Sequence, residues 1–133
     1  MGKGKLILLV DDDRDFLEQN RGVLSARGYR VTSFADPGEA LRAAEAEAPD
    51  LVVSDLMMQA LDSGFSLARA IKSRHPRVPV ILVTAAASQR GFDFRPRGAG
   101  DLSAMHADAF FDKPVDPAAL IAKVEELLGE AEA

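Results

Sequence analysis

The chain has no cysteine, so disulfides, thiolate zinc centres and thiol nucleophiles are excluded. No stretch approaches the ~20 apolar residues of a membrane span, because every strand-like run soon meets a charged residue. The opening MGKGKLILLV begins with basic residues, but DDDRD follows at once, which leaves no room for the apolar stretch and small-residue cleavage site of a signal peptide. A cytoplasmic location is expected. There is no excess of positive charge; a net charge of −5 argues against a sequence-independent hold on nucleic-acid phosphates. Internal repeats and low-complexity linkers are also missing. With 133 residues, of which 47% are hydrophobic and 28% charged, the composition is that of a globular protein with a real core. One domain over residues 1–133 is expected, its core running from about residue 5 to 129.

Short apolar runs alternate with helical patterns, the signature of βαβ units around a parallel sheet. Lys5 to Val10 is an unbroken apolar run after its lysine, as expected of a strand covered on both faces. A helix is predicted from about Arg14 to Arg27, capped by Asp13, ended by Gly28, and buried along Phe16, Leu17, Val23 and Leu24. Tyr29 to Phe34 alternates and reads as a more exposed second strand. Asp36-Pro37-Gly38-Glu39 starts a helix running to Ala48. Strands are predicted at Leu51–Ser54, Pro79–Val83 and Ala109–Phe111, with a helix at Gly64–Arg74 turning Phe65, Leu67, Ala68 and Ile71 inward. Asp116-Pro117 starts a last helix with a stripe of Leu120, Ile121, Val124, Leu127 and Leu128. Between the fourth and fifth strands, Arg90 to Gly100 holds three glycines and a proline, which together oppose a helix. An irregular loop is expected there, with at most a short helix near Leu102–His106.

Polar residues sit just past four of the apolar runs: Asp11 and Asp12, Asp55, Thr84 and Lys113. If the runs are parallel strands, these groups meet at the carboxyl edge of the sheet, where open α/β sheets bind ligands. Crowded carboxylates need raised pKa values or a bound cation, and hard oxygen ligands suit Mg²⁺. A lysine and a hydroxyl opposite them suit a phosphoryl group. Asp13 reads as a helix cap; His75 and His106, away from the cluster, read as surface residues.

The stretches LILLVDDD, LVVSDLMM, VILVTA and FFDKP, in this order, resemble a response-regulator receiver domain of two-component signalling. The resemblance covers the whole chain. It implies a flavodoxin-like, doubly wound α/β fold: a five-stranded parallel sheet of order 2-1-3-4-5 with helices on both faces, here with an irregular or extended fourth-helix region. It also implies that Asp55 accepts a phosphoryl group from a histidine kinase or phosphotransfer protein. Mg²⁺ would be held by Asp12 and Asp55 directly, by Asp11 through water and by the Met57 carbonyl. Lys113 would pair with the acceptor carboxylate and then with the phosphoryl oxygens. Thr84 and the aromatic Phe110 would form the switch. The resemblance further implies a cis Lys113-Pro114 bond. Catalysis would be limited to self-phosphorylation and self-dephosphorylation, the latter slow because Met57 and Ala86 cannot orient a water.

The chain departs from the receiver pattern in three places. Gln59 stands where a proline is usual, and Ser63 is an extra residue before Gly64, beside the expected metal site. The 29 positions separating Thr84 from Lys113 exceed the usual spacing, the surplus falling in the glycine-rich segment with Arg90, Arg95 and Arg97. A remodelled output face is expected there. Nothing follows the last helix but Gly129 to Ala133, so output through contacts with a downstream protein is expected, with homodimerisation open, no direct nucleic-acid binding and no membrane association. The alternative is a degenerate receiver acting as a phosphorylation-independent binding or dimerisation module. A haloacid-dehalogenase-like phosphatase fits poorly, because Arg14 and Asp15 follow Asp13 where that family needs threonine or valine.

Overall fold

In a computed structural model, residues 4–55, 63–84, 107–113 and 115–129 are described, those at 63–66 and 84 by their backbone alone. Strands β1 (Leu6–Val10), β2 (Arg30–Phe34), β3 (Leu51–Asp55), β4 (Val80–Thr84) and β5 (Ala109–Asp112) form one sheet. Its order is β2-β1-β3-β4-β5, and every neighbouring pair is parallel. Helices α1 (Arg14–Ser25), α2 (Pro37–Ala46) and α3 (Ser63–Arg74) follow the first three strands, and a C-terminal helix spans Pro117–Leu128.

Both faces of the sheet are covered, which is why its inner strands read as unbroken apolar runs. Because strand side chains alternate between faces, Ile7, Leu9, Leu51, Val53, Ile81, Val83 and Ala109 share one core with Phe16, Leu17 and Leu24 of α1 and Leu120 and Val124 of the C-terminal helix. Leu8, Val10, Val52, Val80 and Leu82 point the other way, onto Ala40 and Ala44 of α2 and Leu67, Ala68 and Ile71 of α3. The helices are therefore split between the two faces, as a doubly wound sheet requires. Strand β2 lies at an edge, and none of its residues is fully buried.

The helix starts follow local chemistry. Asp13 caps α1 by accepting from the N–H groups of Asp15 (3.0 Å) and Phe16 (3.3 Å). Asp36 accepts from Glu39 (2.9 Å) and Asp116 from Ala119 (3.3 Å), each with proline at the next position. Gly28, at φ +94°, turns the chain from α1 into β2, a left-handed conformation that favours glycine.

Several details differ from the sequence reading. Helix α1 ends at Ser25 and α2 at Ala46, both short of their expected ends. Strand β2 begins at Arg30, and Tyr29 packs in the core beneath α1. Val23 is half-buried, while Asn20 takes the buried place on α1 by donating its Nδ2 to the Phe16 carbonyl at 2.9 Å. His75 is half-buried, with its Nε2 buried and lacking a hydrogen-bond partner among the described residues. Gln59, the side chain of Phe65, Ala86, Arg90 to Gly100, Leu102 to His106 and Pro114 lie outside what is described.

At the amino edge of the sheet the same device occurs twice. Asp50, just before β3, accepts from the Leu6 N–H of β1 at 2.7 Å, while the Asp50 N–H donates to the Leu6 carbonyl. Asp108, just before β5, accepts from the Val80 N–H of β4 at 2.9 Å and from the Lys72 ammonium at 2.7 Å. Each carboxylate closes the first open donor of the neighbouring strand. Truncating Asp50 to alanine leaves the largely buried Leu6 N–H without that partner, an expected loss of about 1–3 kcal/mol. Urea unfolding should show a lowered midpoint at unchanged slope.

Candidate functional site

The chain passes from β1 outward to β2 and then back across to β3 on the other side, so the strand order reverses between β1 and β3. At such a reversal the loops leave the carboxyl edge in opposite directions and open a crevice between them. Asp11 is the first residue past β1, and Asp55 is the last of β3.

The alternation of the strands decides which way the side chains go. Asp11 lies two residues past Leu9, Asp55 two past Val53 and Lys113 two past Phe111, so all three continue the stripe that faces α1 and the C-terminal helix. One carboxylate oxygen from each of Asp11, Asp12 and Asp55 falls within 4.8 Å of the others. Asp11 is fully buried, Asp55 is buried and Asp12 is exposed. The Lys113 ammonium stands 2.7 Å from Asp11 Oδ2 and 4.0 Å from Asp55 Oδ2. Lys113 thus sits closer to the buried first aspartate than to Asp55, the carboxylate with which the sequence suggested it would pair.

Asp11 is held on both oxygens. Its Oδ1 accepts from the Asp13 N–H at 2.8 Å, which ties the crevice to the capped start of α1. Its Oδ2 meets the Lys113 ammonium as an ion pair at 2.7 Å. Burial raises the Asp11 pKa above the ordinary carboxylate value, and the Asp12 charge adds to this; Lys113 and the Asp13 N–H offset part of the rise.

The ring of Phe16 lies beneath the Lys113 ammonium, 4.6 Å from its nitrogen to the ring centre. Sequence periodicity assigned Phe16 to the core stripe alone. Nothing local signals the contact, because it joins the first turn of α1 to the end of β5. Thr84 closes β4 opposite Asp112, the residue before Lys113, so its backbone lies at the same edge. Phe110 is half-buried against the core beneath α2 and α3. Met57 lies outside the described residues. No described helix is long and apolar enough to cross a membrane.

Residues 7–125 match the family model of the response regulator receiver domain. The transcriptional regulatory protein PrrA of Mycobacterium tuberculosis is 37% identical over 124 residues, covering 92% of this chain and 49% of PrrA. The chain therefore spans about half the length of that relative. A receiver domain protein from Methanospirillum hungatei superposes with a TM-score of 0.80 at 31% identity, over 97% of both chains. The response regulator TrrA of Thermotoga maritima, solved in complex with Mg²⁺-BeF, gives a TM-score of 0.75 at 28% identity over 92% of this chain and 98% of its own. Fold, strand order and the matched span agree: the chain belongs to the response regulator receiver domain family of two-component signalling.

Proposed function

We propose that this chain is a phospho-accepting receiver. Asp55 takes a phosphoryl group from a phosphohistidine on a histidine kinase or phosphotransfer protein, with Mg²⁺ required, and the phosphorylated domain signals through contacts with a downstream protein. The observation that carries this reading is the convergence of Asp11, Asp12, Asp55 and Lys113 at the point where the strand order reverses.

The residues fit Mg²⁺. Three carboxylate oxygens lie close enough to share one ion, one of them on the fully buried Asp11. Three ionised carboxylates against one ammonium leave two negative charges, which a divalent cation would balance. Asp12 and Asp55 are the direct ligands in this reading. Asp11, already engaged by Lys113 and the Asp13 N–H, acts through water, and the Met57 carbonyl adds a further oxygen. Bound Mg²⁺ would supply charge neutralisation for the incoming phosphoryl oxygens. The match of TrrA, solved with Mg²⁺-BeF, supports the same assignment.

In the transfer, an Asp55 carboxylate oxygen attacks phosphorus in line with the departing imidazole. The new P–O bond forms as the P–N bond breaks, and the imidazole nitrogen leaves with that electron pair. Lys113, 4.0 Å from Asp55, needs only a small shift to reach the transferred oxygens. The Thr84 hydroxyl turns onto the phosphoryl group, and Phe110 follows it as the switch. The domain turns over no external substrate; it phosphorylates itself from a donor and loses the group slowly.

Intact mass after incubation with acetyl phosphate tests the reading. One added phosphoryl group is expected with Mg²⁺, and none with excess EDTA. A mass unchanged under both conditions would favour a phosphorylation-independent binding module instead.

A further inference from the structure

A closed ring of contacts joins the site to α1. Asp11 Oδ1 accepts from the Asp13 N–H, and Asp13 Oδ1 accepts from the Phe16 N–H. The Phe16 ring lies 4.6 Å beneath the Lys113 ammonium, and that ammonium returns to Asp11 Oδ2 at 2.7 Å. The Phe16 carbonyl is itself held by Asn20 Nδ2. Phe16 is 8% exposed, so its ring has little freedom to turn away.

We infer that Phe16 is a positioning residue for the phosphoryl-transfer chemistry: its ring face holds the Lys113 ammonium at the crevice, over Asp11 and within reach of Asp55. A flexible lysine has many rotamers, and an ion pair alone fixes distance better than direction. The negative face of an aromatic ring supplies the missing direction, and the attraction strengthens where water is excluded. At 17% exposure the Lys113 side chain is in such a place. The ammonium then approaches the transferred oxygens from one side without a conformational search. An aliphatic residue would fill the same core position but offer no directed attraction.

This inference rests on the phospho-acceptor reading, and two variants separate the two. Phe16→Leu keeps an apolar side chain and removes the ring. Pentafluorophenylalanine in place of Phe16 keeps the ring shape and reverses its charge distribution. At saturating Mg²⁺, phosphorylation by acetyl phosphate is expected to slow about 3–10-fold in both, with Mg²⁺ affinity within about twofold of native. The Lys113 ε-proton resonances are expected to lose their ring-current shift in Phe16→Leu. A purely structural role would lower the melting temperature of Phe16→Leu yet leave the fluorinated protein at the native rate, and that result would overturn the inference. If the native chain takes no phosphoryl group, the acceptor reading fails on its own. The Lys113 resonances then decide the placement, and shifts unchanged in Phe16→Leu reject it.

Discussion

Replacing Asp11 with asparagine is expected to raise the melting temperature of the metal-free protein at pH 7 while removing most of its response to Mg²⁺. The native carboxylate is fully buried, and burial outweighs its ion pair with Lys113, so its pKa is raised. A carboxyl group whose folded pKa exceeds its unfolded value contributes stability when protonated. That contribution is present below the ordinary carboxylate pKa and is lost as the pH rises through the raised one. Near neutrality the ionised Asp11 therefore opposes folding. Asparagine keeps an oxygen for the Asp13 N–H and has no charge to desolvate, and its Nδ2, a donor like the ammonium, turns Lys113 toward Asp55, now 4.0 Å away. The gain in melting temperature over native should shrink as the pH falls through the carboxylate range and Asp11 takes up its proton. Metal binding competes with that same proton, so native Mg²⁺ affinity should climb with pH over the same window. At a concentration 100 times its Kd, Mg²⁺ is expected to stabilise the native protein by about 2.7 kcal/mol, or roughly 5–10 °C. Differential scanning calorimetry across pH, with and without Mg²⁺, checks both parts. An asparagine variant less stable than native at pH 7, or equally stabilised by Mg²⁺, contradicts the reading.

Replacing Lys113 with alanine should do the opposite to the metal-free protein. Asp11 then keeps its burial and loses its cation. Removing one partner of a buried ion pair costs about 3–5 kcal/mol. The loss here is expected at or below the low end of that range, because Lys113 is 17% exposed and Asp11 can relieve the cost by taking up a proton. Mg²⁺ affinity at neutral pH should rise, since the ion no longer competes with an ammonium for the same oxygens. Phosphoryl transfer should nevertheless fall by about 10²–10³-fold, the range seen when a preorganised donor to a developing anion is removed. Tighter metal binding paired with slower transfer is a combination that simple loss of folding cannot imitate. Isothermal titration with Mg²⁺ and the rate of mass gain from acetyl phosphate measure the two halves separately.

The two variants also bear on what could be seen in the linear chain. The strands β1, β3 and β4 were legible because both faces are covered, so burial leaves an unbroken apolar run and no helical period. Asp13, Asp36 and Asp116 were legible because a cap acts within three residues of itself. The crevice followed from parallel strands alone: polar residues just past them must share an edge. What stayed hidden joins residues far apart. The Asp50 and Asp108 carboxylates close donors on neighbouring strands, 44 and 28 positions away. A Pro-Asp or Ala-Asp pair ahead of an apolar run is a weak local sign of them. Phe16 has the spacing of any core residue, and only the fold, which brings Lys113 just past β5 to the first turn of α1, sets its ring beneath an ammonium. Asn20 carries no apolar signal, yet it is buried by turning its amide back onto its own helix. Tyr29 joined the expected strand by its β-forming character, but it packs beneath α1 just ahead of Arg30, where the strand begins.

The family's phosphoryl chemistry needs little more than alignment and balanced charge, which a crevice between two short strands can supply. The described residues supply the carboxylates and the ammonium, held by α1 through the Asp13 N–H and the Phe16 ring.

Phosphorylation with acetyl phosphate and Mg²⁺, followed by borohydride reduction, converts an acyl phosphate into homoserine at the carboxylate that carried it. Sequencing the resulting peptides by mass spectrometry identifies that position directly. Homoserine at position 55, and none when Asp55→Asn is treated in the same way, is the expected result. Homoserine at position 11 or 12, or its appearance in Asp55→Asn, would contradict the assignment of Asp55 as the acceptor.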